Sequence, residues 1–244
     1  MKQLRLLSGR TAKEILRDPL TLFFGLGFPL VLLSLLTAIQ ANIPEPLFAL
    51  DRLAPGVSVF SLSFLSLFSA LLLSKDRGSA LLLRLYTTPL RPVHYVLSYM
   101  LPLAPIALLQ ALVCYGFALI LGLSWTWNLL LCLAVTLPVA WIFIALGLFF
   151  GSLLSEKQVG GVCGALLTNL TGWLSGVWFD VELVGGVFLT AAKLLPFYHG
   201  VVLARAAYAG TLGDALPHLW VVLAWAAALT ALAVWAFLRQ MRRN

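Results

Sequence analysis

The sequence offers few residue types that could carry out chemistry. Its three histidines, His94, His199 and His218, are far apart in the chain, and their spacing matches no metal-binding motif. P-loop, nucleophile-elbow and HExxH patterns are absent. The three cysteines lie inside apolar runs, where they fit no zinc or disulfide pattern: Cys114, Cys132 and Cys163. We therefore predict no catalytic residue, no metal site and no cofactor in this chain.

The composition indicates a membrane protein. Of the 244 residues, 61% are hydrophobic and only 10% are charged, whereas a soluble domain carries about 25% charged residues. The net charge of +7 could suggest nucleic acid as a partner. However, the basic residues cluster at the edges of apolar runs, which is typical of membrane proteins. We predict membrane lipid as a partner and no nucleic acid.

Six apolar runs are long enough to cross a bilayer, which takes about 20 residues. They are approximately Leu20–Ala41, Pro55–Ser74, Tyr95–Leu121, Trp127–Leu154, Val159–Phe179 and Pro217–Leu238. None contains Asp, Glu, Lys or Arg. The first run is too long for the apolar region of a signal peptide. The pattern predicts an all-α membrane protein of six transmembrane helices, with residues 1–244 forming one membrane domain.

The basic residues fall unequally on the two sides of these spans. Thirteen of the sixteen Lys and Arg residues lie in the N-terminal segment, the second and fourth loops and the C-terminal tail. Only Arg52, Lys193 and Arg205 lie in the other loops. Because cytoplasmic loops carry the excess of Lys and Arg, we predict a multi-pass protein of the plasma (inner) membrane with both termini in the cytoplasm.

The N-terminal segment, residues 1–19, is predicted to form an interfacial helix. Leu4, Leu7, Thr11 and Ile15 recur at helical spacing, and the basic residues stand mostly on other faces. Such a helix suits the inner surface of a membrane. The alternative is a solvated, charged tail.

The fifth span has small residues at intervals of four. They are Gly160, Gly164, Thr168, Gly172 and Gly176. Gly147 and Gly151 end the fourth span with the same spacing. Small residues four apart let helix backbones approach closely in lipid. The face could pack within one subunit or form a dimer interface, and the sequence leaves both open.

Residues 180–216 form the longest loop on the predicted outer side. They contain two apolar stretches, too short to span, that are separated at Pro196. Short stretches of this kind are typical of re-entrant or interfacial helices. Anchoring at the membrane interface explains the aromatic residues nearby. The alternative is a role in a pathway or an external gate, for which the candidates are Trp173, Trp178, Phe179, Pro196, Phe197 and Tyr198.

The loop between the second and third spans combines charge with leucine. It reads SKDRGSALLLRLYTTPLRP from Ser74 to Pro92. Each Arg or Lys at a span centre would cost about 2.5–3.5 kcal/mol, so the loop stays outside the bilayer. Asp76 is a predicted N-cap, and Thr87-Thr88-Pro89 a predicted stop. The helix between them would leave its leucines exposed, to dock on the membrane surface or in a groove of a cytoplasmic protein.

Five segments together resemble the permease subunit of the type-2 ABC exporter family. They are LRDPLTLFFGLGFPL (16–30), LAPGVSVFSLSFLSLFSALLLSKDR (53–77), LYTTPLRP (85–92), EKQVGGVCGALLTNLTGWLSGVWF (156–179) and LLPFYHGVVLARAAYAG (194–210). The resemblance covers nearly the whole chain. It implies that residues 75–92 hold a cytoplasmic coupling helix that contacts an ATP-binding subunit, and that residues 180–216 hold external re-entrant helices. The coupling residues implied are Asp76, Arg77, Leu82, Leu83, Arg84, Thr87, Thr88 and Pro89.

The resemblance also implies a mechanism. Two permease copies would assemble with two ATP-binding subunits that hold ATP and Mg²⁺, and the substrate pathway would lie between the permeases. The alternatives are a permease-like sensor and a self-sufficient channel or sodium-coupled carrier. The spans contain no Asp or Glu of the kind that proton-driven transporters keep in the membrane, which favours energy supplied by a separate protein. The substrate, which could be a lipid, drug, peptide or glycan, is not predicted.

Overall fold

The computed structural model describes residues 2–19, 23–78 and 92–241. Within these ranges the chain is helical and contains no strand, which confirms the predicted all-α class. The helices are α1 (Lys2–Leu16), α2 (Phe23–Gln40), α3 (Leu50–Ser61), α4 (Ser63–Gly78), α5 (Pro92–Ile120), α6 (Asn128–Leu153), α7 (Glu156–Val159, followed without a break by Gly160–Leu167 and Thr168–Leu174), α8 (Val181–Val184), α9 (Gly186–Leu194), α10 (Pro196–Ala209) and α11 (Leu212–Met241).

Five stretches of the described chain are long and apolar enough to cross a membrane. They are Phe23–Gln40, Leu50–Arg77, Val93–Ile120, Asn128–Leu153 and Gly213–Met241. They coincide with the first four predicted spans and the last. The second is nearly continuous, because α3 and α4 are separated only by a turn at Leu62.

The predicted fifth span corresponds to α7 and is not one of these five. Its middle segment, Gly160–Leu167, is π-helical, and its second half contains Thr168, Asn169 and Thr171, which lower its hydropathy. The helix ends at Leu174, before a turn in which Gly176 has φ +77°. Helices α9 and α10 together are also long and apolar enough to cross a membrane, but they are bent by 79° relative to each other. The six-span count and the re-entrant placement of α9 and α10 stay predictions.

The centre of the bundle is the contact between α4 and α6. In the most apolar window of Leu50–Arg77, 83% of residues are buried, against 17% for Phe23–Gln40, so α2 is peripheral. Gly147 of α6 lies directly against the Ser66 carbonyl and the Ser69 hydroxyl of α4. Ser69 also donates a hydrogen bond to the Ile144 carbonyl, at 3.2 Å. Small residues therefore bring these two backbones together, as expected for helices in lipid.

Helix α1 packs against one end of the bundle. Its Thr11 and Ile15 are buried, and Ser8 donates to the Ser98 carbonyl of α5 at 3.4 Å. The C-terminal ends of α4, α6 and α11 lie at the same end, which we call the basic end. Basic residues of these elements and of α7 give the end its name: Arg10, Lys13, Arg17, Lys75, Arg77, Lys157 and Arg239. The predicted N-terminal helix is thus present, and its location at a membrane surface stays a prediction.

The opposite end holds Arg52, Lys193 and Arg205. Arg205 of α10 donates to the Arg52 carbonyl at 3.2 Å. Tyr208 donates to the Ser124 carbonyl and accepts from Asn128 through its own carbonyl, both at 3.0 Å. These bonds join α10 to the start of α3 and to the loop before α6. Helices α8 and α9 continue from the end of α7 and lead into α10.

Candidate functional site

Asp76 lies at the centre of a buried polar network at the basic end. Its side chain accepts two hydrogen bonds from Arg10, at 2.8 and 3.2 Å, and one from the Tyr99 hydroxyl, at 2.6 Å. Only 4% of Asp76 is exposed. A paired guanidinium and carboxylate give a strong, directional contact. The network therefore fixes α1 and α5 to the last turn of α4, directly before residues 79–91.

A weaker, exposed layer extends this network. Glu14 accepts from Arg10 at 3.3 Å and pairs with Lys75 at 3.5 Å. Because these side chains reach solvent, each such ion pair contributes at most about 1 kcal/mol. The hydrogen bond to Asp76 raises the pKa of the Arg10 guanidinium above its usual value, so Arg10 stays charged.

Arg77 joins α4 to the end of α6. Its Nη1 donates to the Gly151 carbonyl at 2.7 Å and to the Leu154 carbonyl at 3.2 Å. The Gly151 carbonyl belongs to the last turn of α6 and Leu154 is the residue that follows the helix, so neither carbonyl has a partner inside the helix. A cation is also favourable at a helix C-terminus. Arg77 therefore caps α6 with a side chain from α4.

These contacts correct one prediction. Asp76 does not begin a new helix, because α4 continues through Asp76 and Arg77 to Gly78. The reason is that Asp76 is buried against Arg10 and Tyr99 rather than free to cap. The other predicted coupling residues lie outside the described residues: Leu82, Leu83, Arg84, Thr87, Thr88 and Pro89. The coupling role of all eight residues stays a prediction.

We expect Asp76→Asn to lower the free energy of unfolding by about 2 kcal/mol, because Arg10 and Tyr99 lose a charged acceptor. The side chain of Arg10 is 42% exposed, so solvent reduces its share. Unfolding of the purified chain in detergent measures this. As a control, Glu182→Gln breaks the exposed 3.4 Å pair with Lys193 and should cost less than about 0.5 kcal/mol. Equal stability of the two variants would contradict the structural role of Asp76.

The five small residues predicted as one face have different surroundings. A Cβ at Gly160 would meet nothing within 4 Å, and one at Gly164 would lie 3.3 Å from the Leu67 side chain. At Gly172 it would lie 2.9 Å from Nε1 of Trp178. The π-helical segment bonds residues five apart, so a spacing of four does not keep one face. Among the described glycines, Gly147 and Gly151 are instead the two at which a Cβ would come within 3 Å of the backbone of another helix.

The other two members of that predicted set also differ from each other. Thr168 is half-buried, and its hydroxyl donates to the Cys163 carbonyl at 3.2 Å. Gly176 lies beyond the end of α7, with φ +77°. A residue with a Cβ is strained at this φ, and its Cβ would lie 2.8 Å from Val181. Gly176 therefore makes the turn that ends α7, whereas Thr168 lies within the helix.

Three of the candidate gate residues cluster near the end of α7. Trp173 is exposed, and its ring centroid lies 6.0 Å from that of Phe179. Phe179 in turn lies 6.0 Å from Phe188 of α9. Trp178 faces the bundle, with its ring 5.1 Å from Phe60 of α3. Their arrangement allows either interfacial anchoring or contact with a substrate.

The other three candidates begin α10. Pro196 is the first residue of this helix. Proline has no backbone N–H, and at this position an N–H would have no partner inside the helix. Phe197 is buried and stacks 5.6 Å from Phe143 of α6. The Tyr198 hydroxyl donates to Glu182 at 3.3 Å. Phe197 thus belongs to the core of the bundle, while Tyr198 faces the segment that follows α7.

A histidine pair, which the sequence did not reveal, joins α10 to α11. Nδ1 of His199 lies 2.8 Å from Nδ1 of His218. Nε2 of His199 lies 2.8 Å from the Lys193 carbonyl. Because a carbonyl only accepts, Nε2 of His199 must donate, and in the neutral ring Nδ1 then accepts from His218. In the described part of the chain, no group of three or more His, Cys, Asp or Glu could hold a metal ion.

Sequence reasoning missed these pairings because the partners are distant in the chain. Arg10 and Asp76 are 66 positions apart, and His199 and His218 are 19 apart. The available signal was a carboxylate at the end of a span and a basic helix that needed a partner. That signal does not identify which cation meets Asp76.

The described helices, with five long apolar stretches and a charged network at the basic end, define an all-α, multi-pass membrane protein. The model of the family described as ABC-2 type transporter matches residues 2–208. The match covers most of the chain, so the chain belongs to this family and is a membrane permease of the ABC exporter kind, not the ATPase subunit. No curated protein matches the chain. All of α11 lies beyond the matched residues.

Proposed function

We propose that this chain is the permease subunit of an ATP-driven exporter, powered by a separate ATP-binding subunit that docks at the basic end. The family match over residues 2–208 carries this proposal. Permeases of this family generally work with such a subunit. ATP and Mg²⁺ would then be held by that partner, since this sequence has no P-loop.

The network around Asp76 supports the basic end as the docking site. Residues 79–91 connect the end of α4 to the start of α5, and Asp76 joins both helices to α1. Arg77 adds the end of α6. A movement of this loop would therefore be transmitted to α1, α4, α5 and α6 through short polar contacts. This arrangement suits the transmission of work from a cytoplasmic partner to the bundle.

A second copy is proposed as the other partner, with the substrate pathway between the two. The support is the exposure of α2 and of one side of α7. Leu166, Asn169 and Trp173 are all exposed on α7. The Asn169 amide donates only to the Ala165 carbonyl of its own helix among the described residues. An amide that faced lipid would lose the rest of its hydrogen bonding, so this side is better suited to a partner or a wet pathway.

The test is reconstitution of the chain with and without an ATP-binding subunit encoded beside it. We expect the subunit to co-purify and ATP-dependent export from vesicles to require both. A partner whose P-loop lysine is replaced should bind normally but support no export. Conduction or sodium-driven transport by the chain alone would instead establish a channel or carrier. Complex formation without any transport would favour a sensor.

We propose that the basic end and both termini face the cytoplasm of the plasma (inner) membrane. Single cysteines at Lys75 and Lys193, in a chain lacking Cys114, Cys132 and Cys163, should be labelled from opposite sides. Lys75 is a better probe than Arg77 because its side chain is 64% exposed, while Arg77 caps α6. Impermeant maleimide added to intact cells should label only the Lys193 position. Labelling of the Lys75 position from outside would show that the basic end faces outward and would contradict the proposed topology.

A further inference from the structure

A cleft of about 990 Å³ separates the outer face of α1 from the last turns of α4. Its floor is apolar and consists of Ile15, Phe68, Leu71 and Leu72. Its rim is charged, and its basic members are Arg10, Lys13, Arg17 and Lys75. Phe68 and Lys75 are seven residues apart on one helix, which places floor and rim about 10 Å apart along its axis. The cleft is therefore amphiphilic, with its cations toward the basic end.

Two of the rim cations have no carboxylate partner among the residues that the structure describes. Arg10 pairs with Asp76 and Glu14, and Lys75 also pairs with Glu14, so the charges of these two cations and two carboxylates compensate one another. Within residues 2–19, 23–78 and 92–241, Lys13 and Arg17 form no ion pair, and Arg17 is exposed. They supply positive charge that a ligand could neutralise.

The rim also carries two further carboxylates, Asp18 and Glu156. Glu156 lies in the first turn of α7, where the backbone N–H groups favour negative charge. Asp18 is exposed at the edge of the cleft. With Glu14, the lining has four basic and three acidic side chains, and Asp76 pairs with Arg10 from outside the lining. The two described cations without an ion pair lie on α1.

We propose that this cleft binds an anionic phospholipid of the adjoining leaflet, with its phosphate at Lys13 and Arg17 and its acyl chain on Phe68, Leu71 and Leu72. Each basic residue near a membrane surface attracts anionic lipid, and long cationic side chains keep their charge at headgroup level above apolar surface. A soluble phosphate would leave the apolar floor uncovered, and a zwitterionic lipid would not neutralise the two cations. The proposal does not depend on ATP or on a transport direction.

The test uses the full-length chain purified in detergent, without a partner. Binding of phosphatidylglycerol and phosphatidylcholine of the same acyl chains is measured by native mass spectrometry and by the shift in unfolding temperature. We expect the preference for phosphatidylglycerol to fall about ten-fold or more in the double variant Lys13→Gln, Arg17→Gln. The matched control, Lys157→Gln with Arg239→Gln, removes two exposed cations at the same end but outside the cleft and should keep the preference.

A second variant tests the cleft without changing any charge. Gly9 lines the cleft, and a Cβ there would meet nothing within 4 Å, so Gly9→Leu should fold and occupy the space of the ligand. It should weaken phosphatidylglycerol binding as well. Unchanged binding in both cleft variants would overturn the proposal, as would an equal loss in the control, which would indicate diffuse surface attraction. Competition by glycerol phosphate at equal affinity would identify a free-anion site and reject the lipid.

Discussion

Replacing Gly147 with alanine should destabilise the chain by about 3 kcal/mol or more, the upper range for an overpacked core. The added methyl group would overlap the Ser69 hydroxyl and the Ser66 carbonyl. The carbonyl is backbone, so it cannot move aside as a side chain could, and α4 and α6 would have to separate. Separation would also stretch the Ser69 bond to the Ile144 carbonyl, now 3.2 Å. The folded yield and unfolding temperature of the purified variant measure this.

Gly116 provides the matched control. It too lies inside a predicted span, on α5, but a Cβ there would meet nothing within 4 Å. Alanine is favoured over glycine inside a helix by about 1 kcal/mol, so Gly116→Ala should leave stability unchanged or raise it. The same substitution should therefore lower the free energy of unfolding at Gly147 but not at Gly116. If Gly147→Ala were as stable as Gly116→Ala, the close α4–α6 contact would be wrong.

The helices that cross the membrane could be predicted from the sequence because length and hydropathy decide them. A stretch such as Asn128–Leu153 has no alternative to crossing a bilayer as a helix, since its backbone must bond internally in lipid. Helix α1 was predicted from a different signal, the helical spacing of its apolar residues. Length and hydropathy decide less for α7, where glycine and polar residues lower the hydropathy and the backbone is π-helical over Gly160–Leu167, so its crossing of the membrane stays a prediction.

The choice of packing partner could not be predicted. Small residues at four-residue spacing occur in both α6 and α7, and the sequence does not say which helix meets them. In the structure Gly151 lies against the backbone of Ala70, whereas Gly164 meets only the side chain of Leu67. The difference depends on the serines and alanine of α4, which supply an equally small opposing surface. Close packing requires small residues on both helices, and the sequence of one helix shows only its own surface.

Part of the candidate site could be predicted from the sequence and part could not. A charged loop between two spans was visible in the sequence, and its position directly after α4 follows from the span boundaries. The burial of Asp76 was not visible, because it depends on Arg10 and Tyr99 from two other helices. A carboxylate at a span end fits a solvated N-cap as well as a buried acceptor. Only the contacts with Arg10 and Tyr99 distinguish a solvated N-cap from a buried acceptor.

The double change Leu82→Glu, Leu83→Glu should abolish association with the ATP-binding subunit. Both residues lie outside the described residues. Charge keeps this loop out of the bilayer, and adjacent leucines on a helix present at least one to a partner. Burying a leucine is worth about 1.5–3 kcal/mol, and a glutamate in an apolar groove adds an unpaired charge. The combined loss should weaken association about 100-fold or more.

Co-purification of the ATP-binding subunit and its transport-stimulated hydrolysis are the two measurements. Membrane insertion should survive, because the substitutions leave every apolar span intact. The control is Leu183→Glu with Val187→Glu, which places two charges at the opposite end, where these side chains are 86% and 87% exposed. That variant should retain association with the ATP-binding subunit, since the proposed docking site lies at the basic end. Wild-type association in the Leu82, Leu83 variant would mean that these leucines rest on the membrane surface, and the basic end would lose its assignment as the docking site.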